Sequence, residues 1–272
     1  MDKNEIIEKE QIAPNIHSCT VDAPGIAKKA LPGQFVIVIP DEYSERVPVT
    51  IADWDAEKGY VTIIFLEIGA STQRLAELNT GDDIYSFTGP LGKPFEIENF
   101  GTVALVGGCY GIGGIYRAAK TLKENGNKVI CFSEARSKFL LYWNKKLEEV
   151  ADEVRYSTVD GSLGSKGHSF DLLEDNLKSG EHFDRIMAVG CTFMMYRVAR
   201  VTKPFGVKTI VSMNPVMIDG TGMCGACRLV VEGETKFACV DGPHFDAHKI
   251  DWNIVSDRRK AYLEEEIISK ER

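Results

Sequence analysis

Cys224, Cys227 and Cys239 stand at C-x2-C-x11-C inside the Gly-rich stretch DGTGMCGACRLVVEGETKFAC, Asp219 to Cys239. Thiolate is a soft donor, so three thiols in one short segment point to a metal ion or a cluster rather than to packing. Plant-type [2Fe–2S] sites are spelled C-x4-C-x2-C…C. Counting back five from Cys224 reaches the slot for the first cysteine of that spacing, and it holds Asp219. The spacing therefore predicts a [2Fe–2S] cluster on Asp219, Cys224, Cys227 and Cys239. Gly220, Gly222 and Gly225 leave backbone N–H groups for its sulfurs. The competing set is zinc on Cys224, Cys227, Cys239 and His244, a legal tetrahedral donor set. A Rieske site needs two histidines paired with two cysteines at their own spacing, which His244 and His248 do not show.

The second stretch is GGCYGIGG, Gly107 to Gly114, directly after an apolar run and opening a helical one. Glycines there let the backbone approach a pyrophosphate, and the helix N-terminus adds free N–H groups and a positive dipole. Gly107, Gly108, Gly111, Ile112 and Gly113 are the candidate contacts. The motif is not the strict G-x-G-x-x-G, and a structural βα turn is the plain alternative. Glu134 ends the next strand, where a carboxylate accepts from the ribose hydroxyls of NAD. Arg136, two residues on, would instead meet a 2′-phosphate; NAD is the favoured ligand. VGCTFMM (189–195) ends another strand, the edge at which open α/β sheets bind ligands. It supplies Gly190, Cys191 and Thr192, with Met194 and Met195 flanking a nicotinamide, although methionine on a helix is more often core. Cys191 lies beside the expected hydride path, and a plain thiol is a better reading of it than a catalytic one.

The third stretch is RVPVT (46–50), followed by GASTQR (69–74). An arginine in an apolar strand wants an anion partner, and a helix N-terminus at Gly69–Thr72 is a second anion site. Together they fit one diphosphate, and a flavin is the candidate owner. The alternative is an arginine on an exposed edge strand. His17, His168 and His182 have no evident partners and read as surface or loop residues.

These residues need elements to hold them. Residues 1–98 read as an antiparallel β-barrel, with apolar runs at Phe35–Ile39, Val47–Ile51 and Tyr60–Phe65 parted by turn signals. One short helix is predicted at Ala70–Glu77, capped by Ser71 or Thr72. Residues 99–213 alternate strands and helices, which implies a parallel sheet flanked by helices. Within it, Ser137 is the expected cap of a helix running from about Lys138 through FLLYW. Residues 214–256 form the cluster lobe, and 257–272 a charged C-terminal helix.

At 272 residues the chain suits two or three small domains. A net charge of −8 argues against a nucleic-acid surface. The charged N-terminus MDKNEIIEKEQIAP has no apolar core of a signal peptide, and no eighteen-residue apolar run is present to span a membrane. Scattered single cysteines suit a reducing compartment, so the expected location is cytoplasmic.

The set RVPVT, GAST, GGCYGIGG, GCTFMM and DGTGMCGACR…FACVDGP resembles the ferredoxin–NADP⁺ reductase superfamily over essentially the whole chain. Within it, the chain resembles the branch of dihydroorotate dehydrogenase electron-transfer subunits. It is more similar still to small subunits of NADH-dependent reduced ferredoxin:NADP⁺ oxidoreductases, also called sulfide dehydrogenase β subunits. The resemblance implies an FAD barrel, an NAD(H) domain and a C-terminal [2Fe–2S] lobe. It places Arg46, Pro48, Val49, Thr50, Glu67, Ile68, Gly69, Ser71 and Thr72 at FAD. It implies chemistry borne by the cofactors, with no catalytic side chain, a larger flavin and iron–sulfur partner subunit, and ferredoxin reached indirectly. The dihydroorotate branch has four cysteine ligands where this chain begins with Asp219. Relatives commonly carry Gly-Pro where this chain has Gly190-Cys191.

Overall fold

The computed structural model describes residues 4–270. Residues 1–3 of the charged N-terminus and 271–272 of the expected C-terminal helix lie outside them. The first elements are β1 (Ile6–Ala13), β2 (Ile16–Asp22), α1 (Pro24–Ala27), β3 (Phe35–Ile39), β4 (Val47–Asp55), β5 (Tyr60–Leu66), α2 (Ala70–Glu77) and β6 (Ser86–Leu91). Next come β7 (Thr102–Gly108), α3 (Gly111–Glu124), β8 (Lys128–Ala135), α4 (Asn144–Val150), β9 (Glu153–Thr158), β10 (Ser165–Lys166) and α5 (Ser169–Lys178). Then follow β11 (Arg185–Val189), α6 (Thr192–Thr202), β12 (Thr209–Ser212), β13 (Arg228–Val231), β14 (Glu234–Phe237), β15 (His244–Asp246), α7 (Trp252–Arg258) and α8 (Leu263–Lys270). The chain divides into two units: residues up to Lys93 with Asn214–Pro243 and Ile250 onward, and Pro94–Met213 with His244–Lys249.

In the first unit six strands pair in the order β1-β2-β5-β4-β3-β6, every neighbour antiparallel. A bridge between Glu5 and Asp83, with Ile84 N donating to Asn4 O at 3.0 Å, joins the two outer ends and makes the sheet a barrel. Period-two alternation sends Cys19, Val21, Val36, Val38, Val49, Ile51, Val61, Ile63 and Phe65 into one core. Leu75 of α2 and Ile26 of α1 join it. The short helix keeps its predicted bounds but not its predicted cap. Gly69 is the N-cap, and Thr72 Oγ1 reaches back to accept from Ile68 N and Gly69 N, each at 3.0 Å. Ser71 Oγ accepts from Glu45 N instead.

The cluster segment groups with the barrel unit, whereas the sequence set 214–256 apart as a lobe. A Cβ on Gly220 would stand 2.8 Å from Leu91 Cδ1 and 3.1 Å from Ile37 Cγ1, which shows how closely the loop lies on the barrel. The charged C-terminal helix is broken in two. Asp251 caps α7 through Asn253 N and Ile254 N, so helix begins at Trp252 rather than Asp257, and a turn parts it from α8.

The second unit holds a seven-stranded sheet, β10-β9-β8-β7-β11-β12-β15, parallel except for the antiparallel edge strand β15. The chain builds outward from β7 through β8 and β9 on one side, then returns to lay β11 and β12 on the other. The order reverses between β7 and β11, which is the crevice position for ligands in open α/β sheets. α3 lays Ile112, Ile115, Ala118, Ala119 and Leu122 on the sheet at helical spacing. It stops where Gly126 takes φ +82° and Asn127 N returns to Leu122 O. Phe132, Phe170 and Phe183 are fully buried, each worth about 1.5–3 kcal/mol. Among the described residues no helix is long and apolar enough to cross a membrane.

The predicted helix through FLLYW does not form. Lys138–Leu140 is a single 3₁₀ turn, Ser137 makes no cap bond, and α4 starts only after Trp143, at φ +55°. The reason is Tyr142, whose buried side chain is drawn beneath the Gly-rich turn. Its Oη accepts from Gly113 N at 3.0 Å and lies 3.0 Å from Cys109 O. We expect Tyr142→Phe to cost about 1–3 kcal/mol, because it strands the Gly113 N–H in a buried place. A thermal melt unchanged from wild type would contradict that.

Candidate functional site

The hairpin β13–β14 sets the geometry of the cysteines. Its end pair Arg228↔Phe237 brings Cys227 beside Cys239, Sγ to Sγ 3.3 Å, both buried. Cys239 N points at Cys227 Sγ at 3.4 Å, and Ala226 N at Cys224 Sγ at 3.5 Å. Asp219 folds over the same loop: Oδ1 accepts from Thr221 N at 2.9 Å and Oδ2 from Cys224 N at 2.8 Å. Those N–H groups hold its carboxyl below the ordinary carboxylate range, Thr221 contributing most. The Gly222 N–H is aimed at Cys239, and the Asp219 charge is felt there. Arg258 of α7 donates to Ala226 O at 2.8 Å and braces the loop from outside. Gly220, Gly222 and Gly225 have φ of +75°, +88° and +67°, so the loop needs residues without a Cβ.

Three thiols and an ionised carboxylate, with amide N–H groups already directed at sulfur, fit an iron–sulfur cluster. Among the described residues no three His, Cys, Asp or Glu side chains close on a point that would hold a single ion. His244 of the competing zinc set lies in β15 and stacks on Phe95, ring centroids 3.6 Å apart. Cys19 and Cys131 are pushed up to about 12 by burial and are inert core thiols.

The flavin candidates collect at one place on the barrel. Arg46 stands on the turn before β4 rather than within a strand, exposed and with no ion-pair partner among the described residues. The next-door bond from Glu45 N to Ser71 Oγ, 3.0 Å, brings it to the start of α2. No side chain caps the first-turn N–H groups of that helix, which suits an anion. Pro48 and Thr50 are half-buried, while Val49 points into the core. Glu67 Oε2 is bonded to His17 Nε2 at 2.8 Å, and Ile68 is exposed. His17 is thus no surface residue: it is buried and stacks on Phe65. His182, the third histidine taken for unpartnered, bonds to Asp184 at 3.0 Å.

The Gly-rich turn and the GCTFMM turn meet at the switch point, since β7 and β11 pair up to Gly107↔Val189. Tyr110 Oη donates to Gly190 O at 3.0 Å and ties the two turns together. The glycines, however, serve packing more than open N–H groups. A Cβ on Gly111 would fall 2.0 Å from Val189 O, and one on Gly107 2.8 Å from Ile115 Cδ1. Ile112 N goes to Cys109 O, Gly113 N to Tyr142 Oη, and Gly111, Ile112 and Gly113 are all buried. Met194 and Met195 are core, correcting their place beside a nicotinamide. Met194 Sδ fills the space over Gly108 and Gly190, and the exposed residues there are Cys191 and Phe193. Cys191 caps α6, its Sγ accepting from Met194 N at 3.4 Å, and Thr192 opens that helix.

Glu134 is at the predicted place, beside Gly108 in register. Its carboxylate is already engaged: Oε1 meets His168 Nδ1 at 2.8 Å, and Oε2 takes Ser169 N at 2.8 Å and Ser169 Oγ at 2.5 Å. Arg136 is exposed; its carbonyl accepts from Asp160 N at 3.1 Å, and its guanidinium has no ion-pair partner among the described residues. Tyr110, Tyr142 and His168 were not legible as site residues, since a lone tyrosine or histidine carries no spacing signal.

A family model for the iron–sulfur cluster binding domain of dihydroorotate dehydrogenase B matches residues 214–251. A Thermotoga maritima homolog of the dihydroorotate dehydrogenase B (NAD⁺) electron transfer subunit is 44% identical, covering 99% of this chain and 95% of its own. The chain belongs to the dihydroorotate dehydrogenase B electron-transfer subunit family. The Clostridium acetobutylicum electron transfer subunit of that family is 31% identical over 79% of this chain and 83% of its own. A chain of the NADH-dependent reduced ferredoxin-NADP oxidoreductase structure, solved for insight into flavin-based electron bifurcation, superposes with a TM-score of 0.94. It is 43% identical, over 100% of this chain and 98% of that one. The Plasmodium falciparum ferredoxin-NADP⁺ reductase, 15% identical over 73% of this chain and 89% of its own, shares the fold at a TM-score of 0.60. Members of this electron-transfer subunit family are oxidoreductase components, and FAD, NAD(H) and an iron–sulfur cluster are the family's cofactors.

Proposed function

We propose that this chain is the NAD(H)-side subunit of an electron-bifurcating NADH-dependent reduced ferredoxin:NADP⁺ oxidoreductase. It passes electrons between NADH, FAD and a [2Fe–2S] cluster to a larger flavin and iron–sulfur partner. The observation that carries the reading is Asp219: a carboxylate, bonded to Cys224 N, in the slot where four-cysteine sites have their first ligand. End-to-end likeness to a bifurcating oxidoreductase chain, at 43% identity, supports it.

When bound, FAD accepts two electrons as a hydride from NADH and releases them singly, and the cluster carries one at a time. The chain's own task is to hold and orient. Arg46 and the start of α2 receive the flavin diphosphate, with Pro48, Thr50 and Ile68 beside it. The β7–β11 switch point receives the nicotinamide nucleotide. Asp219, Cys224, Cys227 and Cys239 hold the cluster, and the harder oxygen donor tunes it. No side chain need move a proton for the hydride step.

Among the motifs of this chain there is one cluster site and one dinucleotide turn, so electrons leave on another subunit. The test is to isolate the native complex, identify the partner and assay both forms. The isolated chain is expected to reduce dyes with NADH but not to reduce ferredoxin, while the complex couples the two. Tight ferredoxin reduction by the chain alone would contradict the reading. A partner that oxidises dihydroorotate would replace it with the other branch of the family.

A further inference from the structure

Glu134 was expected to receive a ribose, yet three donors already fill its carboxylate and its side chain is only 12% exposed. What it holds is more accessible. The His168 ring is 37% exposed, lies flat on Phe170 at 4.7 Å, and has Phe193 edge-on at 6.4 Å. Phe193 is 56% exposed, and the Arg197 guanidinium sits 4.7 Å over Phe170, closing the far side of the group. All of this borders the Gly-rich turn, since Glu134 is the register partner of Gly108.

We propose that His168, not Glu134, contacts the adenosine ribose of NAD(H), that Glu134 is its positioning residue, and that Phe193 is the platform for adenine. This rests on the NAD(H) reading above. A carboxylate only accepts, so the proton of the neutral ring sits on Nδ1, facing Glu134. Nε2 is then a fixed acceptor, with no partner among the described residues. A ribose 2′-hydroxyl donates to it. A 2′-phosphate has no proton to offer and meets both a lone pair and the nearby Glu134 charge. The tautomer that Glu134 imposes is thus the source of preference for NADH over NADPH.

Replacing Glu134 with glutamine gives a specific signature. The amide oxygen keeps Ser169, while the amide NH₂ faces Nδ1 and moves the ring proton to Nε2. The donor so created suits a phosphate as well as a hydroxyl.

The test is dye reduction by the full chain carrying its cofactors, with KM and kcat measured for NADH and for NADPH. For His168→Ala the KM for NADH rises about tenfold at unchanged kcat, the loss of one good hydrogen bond. His168→Gln, which keeps an acceptor, recovers part of it. For Glu134→Gln the NADPH-to-NADH ratio of KM narrows about tenfold, and Phe193→Ala raises both KM values about fivefold or more. Two results would overturn the proposal: wild-type KM values in His168→Ala, or a Glu134→Gln variant that loses NADH with its selectivity unchanged. The second would return the ribose to Glu134. A wild-type chain that does not use NADH at all would instead overturn the function proposed above, and this inference with it.

Discussion

Replacing Cys227 with alanine is expected to leave a folded protein that retains flavin and has lost its iron. Cys227 is 2% exposed, its Sγ lies 3.3 Å from Cys239 Sγ, and the Cys239 N–H points at it. If Cys227 is a ligand as proposed, removing its sulfur takes one ligand from the cluster and leaves its buried neighbour without a shared centre. The hairpin itself should survive, because its four pairs from Arg228↔Phe237 to Val231↔Glu234 do not depend on the thiol. The loss of one small side chain from packing is worth about 1 kcal/mol. Iron and acid-labile sulfide per chain, with the flavin spectrum as internal control, read the outcome. Full iron content in the variant would remove Cys227 from the ligand set, and bound zinc in the wild type would revive the tetrahedral alternative.

The second large effect concerns Gly111. A methyl group there would stand 2.0 Å from Val189 O and 2.8 Å from Gly190 N, both backbone atoms. No side-chain rotation relieves a clash with a strand that is paired on both sides. Gly111→Ala is therefore expected to cost at least about 3 kcal/mol, beyond ordinary overpacking. The second unit should lose its thermal transition or fail to form. Gly25→Ala is the control: nothing lies within 4 Å of its Cβ position. A Gly111→Ala protein that melts like the control would mean that α3 slides easily off β11 and that the turn is looser than described.

Much of the architecture was legible. Alternating apolar runs and helical repeats give the parallel sheet, whereas the reversal of strand order between β7 and β11 has no local signal and comes from the structure alone. The barrel was read from β3, β4 and β5. Its first two strands were less visible because IIEKEQIA mixes charge with its apolar residues, and only its ends are buried. The glycine turn was found but partly misread. A glycine that lets phosphate approach and one that lets a helix touch a strand look alike in sequence, and Gly111 turned out to be the second kind. Glu134 shows the same limit from the other side. Its position follows from the strand end, but His168 and Ser169 come from an element thirty-odd residues away (α5), and no local spacing announces that they will claim its carboxylate. Tyr142 was assigned to a helix because FLLYW is apolar enough for one. Its hydroxyl is satisfied only by leaving it. At the candidate cluster site, by contrast, spacing alone was enough to nominate the residues, because they lie close in sequence and the loop that joins them needs its glycines.

The most direct test of the account is electron paramagnetic resonance of the reduced protein beside its Asp219→Cys variant, with the midpoint potential of each. The expected result is one [2Fe–2S] signal in both, with shifted g values and a shifted potential in the variant, since a thiolate has replaced an oxygen donor. Identical spectra and potentials would show that Asp219 is not a ligand and would withdraw the observation on which the proposed function rests.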